Sequence, residues 1–222
     1  MKTGIFGGTF NPIHLGHLRA AEEAREFLEL DKVLFVPSGN PPLKSEGLAD
    51  ASDRYEMTRR AVAGNPFFEA LDIESVNPRK SYTVETLEKL EALYPDADLY
   101  FLLGIDAFLD IPNWWKPEDL VTLVNFGVLS RPGLSFGDLF PSPFIETRGD
   151  CFAGLEAGTT SSCRCRLKTG RQAVLLNVTA MDISSSEIRR TFREGRSAKY
   201  LLPEDVEFFI ISHKLYNNKH GA

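Results

Sequence analysis

The chain lacks any apolar run of about 18 residues, the length a membrane-spanning helix needs, and no secretory apolar segment follows Met1 and Lys2. Cysteine is scarce: three in 222 residues, Cys151, Cys163 and Cys165, all in one stretch. That odd, clustered count does not make the disulfide framework of a small secreted domain. Basic charge is not in excess. Lys plus Arg number 25 against 31 for Asp plus Glu, a net charge of −6, which argues against nucleic acid or an anionic membrane as partner. Neither a Gly-x-Gly-x-x-Gly fingerprint nor the Gly-Lys-Ser/Thr of a P-loop occurs. The expectation left by these absences is a reduced, cytoplasmic, globular protein.

What is present is ordinary for such a protein. Hydrophobic residues at 43% and charged residues at 25% exclude disordered, collagen-like and coiled-coil chains. A chain of this length buries about 70% of its unfolded surface, so it needs no disulfide or metal staple. One domain spanning residues 1–222 is expected.

Strand and helix patterns alternate along the chain. Lys2 to Phe6, Lys32 to Val36, Phe67 to Ile73, Leu99 to Leu103, Phe126 to Leu129 and Ala173 to Val178 read as strands. Between them, Leu18, Ala21, Ala24 and Leu28 recur at helical spacing, as do Val84, Leu87, Leu90 and Leu93. A helix capped by Ser52 carries Met57, Ala61 and Val62 inward. Ile188 to Arg193 and Pro203 to Leu215 form a closing helical segment. Residues 134–172 show no periodicity and read as an irregular insertion. The fold class is therefore α/β: a Rossmann-like parallel sheet with helices on both faces. Ligands in such folds sit beyond the carboxyl ends of the strands, where Gly7, Gly8, Gly104, Asp106 and Arg131 fall.

Two segments carry the chemistry of an anion site. In GGTFNPIHLGH, residues 7–17, Gly7 and Gly8 let backbone N–H groups approach an anion at a helix start. Thr9 adds a hydroxyl. His14 and His17, half the chain's histidines, are three apart and share a helix face. In ISSSEIRR, residues 183–190, Ser184 to Ser186 mark a helix N-terminus, and Arg189 lies one turn in as a bidentate phosphate donor.

The first segment resembles the nucleotidyltransferase signature Gly-Gly-Thr-Phe-Asp-Pro-x-His-x-Gly-His, with Asn11 in the Asp position. The second resembles the Ile-Ser-x-Thr-x-Ile-Arg motif of that superfamily, with Ser186 in the Thr position. SYTVETL (81–87), LLGIDAF (102–108), IPNWWK (111–116) and SRPG (130–133) narrow the match. With DRYEM near residue 55 and LLPEDV near residue 203, the chain is similar to bacterial nicotinate mononucleotide adenylyltransferases. The resemblance fails only across the insertion. Phosphopantetheine adenylyltransferases share the two outer motifs but not the middle set.

The resemblance implies that ATP and nicotinate mononucleotide are the substrates and that AMP is transferred. It implies an ATP site of Gly7, Gly8, Thr9, Phe10, His14, His17, Gly104, Asp106, Ser184, Ser186 and Arg189, with His14 and His17 catalytic. Mg²⁺ would ride on pyrophosphate oxygens, with no protein metal site. For the acceptor, Trp114 offers a stacking face, Tyr82 and Thr83 offer N–H groups at a helix start, and Arg131 borders the nucleotide. Lys44 suits the mononucleotide phosphate. The neighbouring Leu43 stands where the family usually has His and cannot donate a hydrogen bond. Adenylyl transfer to nicotinamide mononucleotide or phosphopantetheine, or nucleotide binding without turnover, are the alternatives. The three cysteines read as free thiols, since a zinc site wants four ligands and no histidine lies between Cys151 and Cys165.

Overall fold

The computed structural model describes residues 1–41, 47–76, 80–139, 141–146 and 151–217. The strands are β1 (Lys2–Gly8), β2 (Lys32–Pro37), β3 (Phe68–Ala70), β4 (Asp98–Gly104), β5 (Asn125–Leu129), β6 (Ser162–Arg166) and β7 (Gln172–Leu176). The helices are α1 (Leu15–Leu28), α2 (Ala51–Val62), α3 (Thr83–Leu93), α4 (Ile105–Asp110), α5 (Pro117–Leu123), α6 (Cys151–Glu156), α7 (Ser185–Arg193) and α8 (Glu204–Ser212). The sheet order is β3-β2-β1-β4-β5-β7-β6. β1 with β4, β4 with β5 and β5 with β7 are parallel. This is the expected Rossmann-like α/β fold, with one antiparallel strand, β6, added at an edge. The order reverses between β1 and β4, the kind of switch point at which open α/β sheets bind ligands.

Two compact units share the chain. One comprises Met1–Phe6, Ala20–Val33 and Tyr82–Ala180. Its centre is β4 and β5, where Leu99 to Leu103 and Asn125 to Leu129 are buried without a break. Successive side chains of a strand point to opposite faces, so both faces of the sheet are covered here. Polar ties fix the chain where it leaves β7. Buried Glu23 of α1 accepts hydrogen bonds from the Thr179 N–H and hydroxyl, both at 2.6 Å. The Ser130 hydroxyl donates to the Val178 carbonyl and accepts from the Val178 N–H.

The other unit comprises Gly7–Arg19, Leu34–Ser81 and Met181–Ala222. Phe35 of β2 is fully buried between the rings of Phe68, at 5.0 Å, and Phe10, at 6.0 Å. α8 lies on α2, with the Arg60 guanidinium 5.0 Å from the Phe209 ring. Below them Arg54 of α2 is 1% exposed. Its guanidinium donates to the carbonyls of Thr9 and Ala49 at 3.0 Å, of Gly39 at 2.6 Å, and of Ser38. Gly39 is packed so closely that a Cβ there would sit 2.2 Å from the Glu74 carbonyl oxygen.

Several sequence expectations need correction. The insertion at 134–172 is not irregular throughout: it holds α6 and β6, and its last residue, Gln172, opens β7. β6 reads Ser-Cys-Arg-Cys-Arg, and its Cys residues face inward while Ser and Arg face out. The alternation has period two, but only the small cysteines mark its apolar side. α4 and α5, at six and seven residues, are too short for a periodic signal and were not expected. α2 takes Asp50, not Ser52, as its N-cap. Cys151 and Cys163 are not free thiols: α6 lies against β6, their Cα atoms stand 5.5 Å apart, and they form a disulfide. Cys165 remains a free, buried thiol.

Two substitutions test the packing of the second unit. Arg54→Met deprives four backbone carbonyls of a charged donor, and a buried acceptor left unpaired costs about 1–3 kcal/mol. Denaturant unfolding is expected to show a stability loss of about 3 kcal/mol or more. Gly39→Ala drives a methyl group into backbone that cannot yield, and overpacking of this kind costs about 1–3 kcal/mol. Its unfolding midpoint is expected to fall, whereas Gly64→Ala, with open space around the glycine, is the control that leaves packing untouched.

Candidate active site

The loop after β1 is shaped from within. Gly8 leaves room for the Phe10 ring, whose atoms lie 2.9 Å from where a Cβ would be. Phe10 adopts φ 44°, is 3% exposed, and sets its ring edge-on to His17 at 5.2 Å. Its ring is thus a support under His17 rather than a surface. The Thr9 carbonyl is held by Arg54 and the Gly8 carbonyl by the Ser38 N–H.

His14 and His17 stack, with ring centroids 3.6 Å apart. The His14 N–H donates to His17 Nδ1 at 3.3 Å. A ring nitrogen that accepts carries no proton, so the neutral His17 ring bears its proton on Nε2 and donates from there. The His14 carbonyl accepts from the His17 and Leu18 N–H groups, opening α1, while the Leu15 N–H is spent on the Leu201 carbonyl.

α7 joins this loop. Ser184 caps it, its hydroxyl oxygen accepting from the Glu187 N–H at 3.1 Å. The Ser185 hydroxyl donates to the Pro12 carbonyl at 2.8 Å. Arg189 donates to the Asn11 carbonyl at 2.7 Å and to the Ser186 hydroxyl at 3.3 Å. The structure therefore brings together the loop's Asn11 and Pro12 with α7's Ser185 and Arg189, although about 170 residues separate them. A hydroxyl that accepts still has its own proton to donate, and Arg189 has five N–H donors. The capped Ser184, Ser186 and Arg189 thus keep donors for an anion.

The sequence reading missed four residues here. Ser185, not only its neighbours, ties α7 to the loop. Arg54 lies inside the DRYEM segment but gives no sign of burial there. Asn11 donates to the Gly47 carbonyl at 2.9 Å and accepts from the Ala49 N–H and the Tyr216 hydroxyl. Tyr216, near the end of the chain, has no motif to announce it. Burial pushes its phenol above the usual tyrosine range, so it stays a donor.

The remaining candidates lie in the other unit. Gly104 closes β4, and a Cβ there would fall 2.6 Å from the Asp106 carboxylate. Asp106 pairs with Arg131. Tyr82 is the N-cap of α3 and Thr83 its first residue, so the Thr83 N–H has no intrahelical partner. Trp114 Nε1 donates to Asp110 at 2.9 Å, and its ring meets Phe101 edge-on. Trp115, passed over as the stacking face, is 54% exposed, and its ring lies 5.5 Å from that of Tyr82. Lys44 lies outside the described residues. Among the described residues, the group of three or more potential metal ligands is Cys151, Cys163 and Cys165, soft donors unsuited to Mg²⁺.

The cytidylyltransferase-like family model matches residues 5–191. A Geotalea daltonii protein named "Probable nicotinate-nucleotide adenylyltransferase" is 42% identical over 220 residues, covering 98% of this chain and 99% of the relative. A protein of the same name from Citrifermentans bemidjiense is 42% identical over 217 residues, covering 97% and 98%. The fold is that of the Plasmodium falciparum nicotinic acid mononucleotide adenylyltransferase solved in complex with NaAD. That match has a TM-score of 0.72 and 21% identity, and covers 97% of this chain and 98% of that one. The chain belongs to the cytidylyltransferase-like family, among its nicotinate-nucleotide adenylyltransferases.

Proposed function

We infer that the protein transfers AMP from ATP to nicotinate mononucleotide, giving nicotinate adenine dinucleotide and pyrophosphate in NAD biosynthesis. The observation that carries this reading is the stacked His14–His17 pair at the start of α1, on a loop bonded to Arg189 of α7.

A phosphate oxygen of the mononucleotide attacks the ATP α-phosphorus in line. The new P–O bond forms as the bond to the bridging α–β oxygen breaks, and pyrophosphate leaves with the electron pair. The attacking oxygen is already ionised near neutral pH, so no general base is needed. Catalysis is positioning plus stabilisation of charge on non-bridging oxygens. His17 Nε2–H serves the α-phosphate. Thr9, Ser184, Ser186 and Arg189 hold the β- and γ-phosphates, with the N–H groups of Gly7 and Gly8 behind them. Mg²⁺ arrives with ATP as part of the substrate, on phosphate oxygens. The family resemblance assigns Asp106 and Arg131 to the nucleotide and Lys44 to the acceptor phosphate. Tyr82 and Thr83 receive the nicotinate carboxylate, with Trp114 as the stacking face and Trp115 beside Tyr82.

His17→Ala is expected to lower kcat about a hundredfold, the loss typical of one transition-state donor, while the KM for the mononucleotide changes far less. Steady-state pyrophosphate release measures both, and near-native kcat would remove His17 from the mechanism.

The acceptor pocket makes a second prediction. A carboxylate only accepts hydrogen bonds, whereas the amide also donates. If the N–H groups of Tyr82 and Thr83 receive the substituent, an amide N–H is left facing another donor, at a cost of about 1–3 kcal/mol. The ratio of kcat/KM for acid over amide is therefore expected to be roughly five- to 150-fold. Trp114→Ala weakens both acceptors and keeps most of that ratio, because stacking does not read the substituent. Equal kcat/KM for acid and amide would leave adenylyl transfer standing and overturn the acceptor.

A further inference from the structure

The sulfur cluster at the sheet edge has no part in adenylyl transfer. Cys151 opens α6, and Cys163 and Cys165 occupy alternate positions of β6, so both point to the same face. The three sulfurs lie within 4.8 Å of one another. Cys163 and Cys165 are buried, and Cys151 is half-buried. Two of the sulfurs form the Cys151–Cys163 disulfide, and the third is a free thiol beside it. A disulfide alone gives no reason for a third sulfur at this distance.

We propose that, with the Cys151–Cys163 bond reduced, the three sulfurs form a tri-thiolate site for a thiophilic d¹⁰ cation, copper(I) or zinc(II). Metal–sulfur bonds of about 2.3 Å set the sulfurs of such a site roughly 3.8–4.0 Å apart, a spacing that fits within the span of the cluster. Soft thiolate donors select these cations over Mg²⁺ or Ca²⁺. The ligands sit on a strand and a helix start, which hold their directions. Register pins β6 to β7 from Ser162 opposite Leu176 to Arg166 opposite Gln172. Cys151 is half-buried, so the cluster lies close to the surface at that sulfur.

The steps balance. A dithiol passes two electrons and two protons to the disulfide, giving Cys151 and Cys163 thiols and the cyclic disulfide of the reductant. The cation then displaces one proton from each of the three thiols. With copper(I) three thiolates complete the coordination, and with zinc(II) a solvent ligand takes the fourth position.

The test uses the full chain, reduced with a dithiol and freed of it without oxygen, then titrated with copper(I) or zinc(II) against a competing chelator. One equivalent of at least one cation is expected to bind, with at least tenfold weaker binding in Cys165→Ser and in the untreated disulfide form. Copper(I) held more firmly than zinc(II) identifies a three-coordinate site, and the reverse identifies a solvent-completed one. Cys151→Ser, at a half-buried position, is expected to lose binding in the same way and carries the test if Cys165→Ser does not fold by circular dichroism. The proposal is overturned if the reduced protein takes up neither cation, or if the cysteine variants bind as the parent does.

Discussion

The second compact unit depends on one buried cation. Arg54 draws together chain that no ladder or helix could join: the loop after β1 through Thr9, the turn after β2 through Ser38 and Gly39, and the entry to α2 through Ala49. The Gly39 carbonyl is buried and the other three are partly so, and a carbonyl withdrawn from water needs a donor. A planar guanidinium supplies several in fixed directions and stays charged when buried, which an ammonium does less well. Burial lowers its pKa, yet nearby Tyr216, Glu74 and Asp50 work against that shift. The backbone of the loop after β1 is therefore shaped by a residue 45 positions away.

Asn11 is the second centre of this unit, and it explains the departure from the family's Asp. Its side chain both donates, to the Gly47 carbonyl, and accepts, from Ala49 N–H and the Tyr216 hydroxyl. A carboxylate could do only the second. The amide thus fits a site in which donor and acceptor needs face it together. Through Arg189 on its own carbonyl, the same residue fastens α7. The C-terminal segment is in this way built into the loop after β1 rather than packed beside it.

The other unit divides its labour between adjacent residues. Trp114 is anchored by Asp110 and Phe101, and Trp115 stays exposed next to Tyr82. Asp106 and Arg131 neutralise one another at the carboxyl ends of β4 and β5. A chain of net charge −6 offers no general field for an anion, so any anion site depends on local donors.

Much of this was readable from the residues alone. Buried strands such as Leu99 to Leu103 and Phe126 to Leu129 announce themselves as unbroken apolar runs, and the helices that cross them by their 3.6-residue period, because burial on both faces or on one stripe leaves that mark on any sequence. GGTFNPIHLGH and ISSSEIRR were legible because phosphate chemistry confines glycine, histidine, serine and arginine to a short span. Tertiary structure alone decided which donors are spent internally, as with the Leu15 N–H on the Leu201 carbonyl. It also decided that Phe10 supports His17, that Trp115 rather than Trp114 is exposed, and that Cys151 meets Cys163. β6 stayed hidden because cysteine is a weak apolar marker, and α4 and α5 because a helix of two turns has no period to show. Arg54 and Tyr216 were invisible for a deeper reason: their partners are backbone carbonyls and a distant amide, and a sequence records side chains, not where the folded chain brings its backbone.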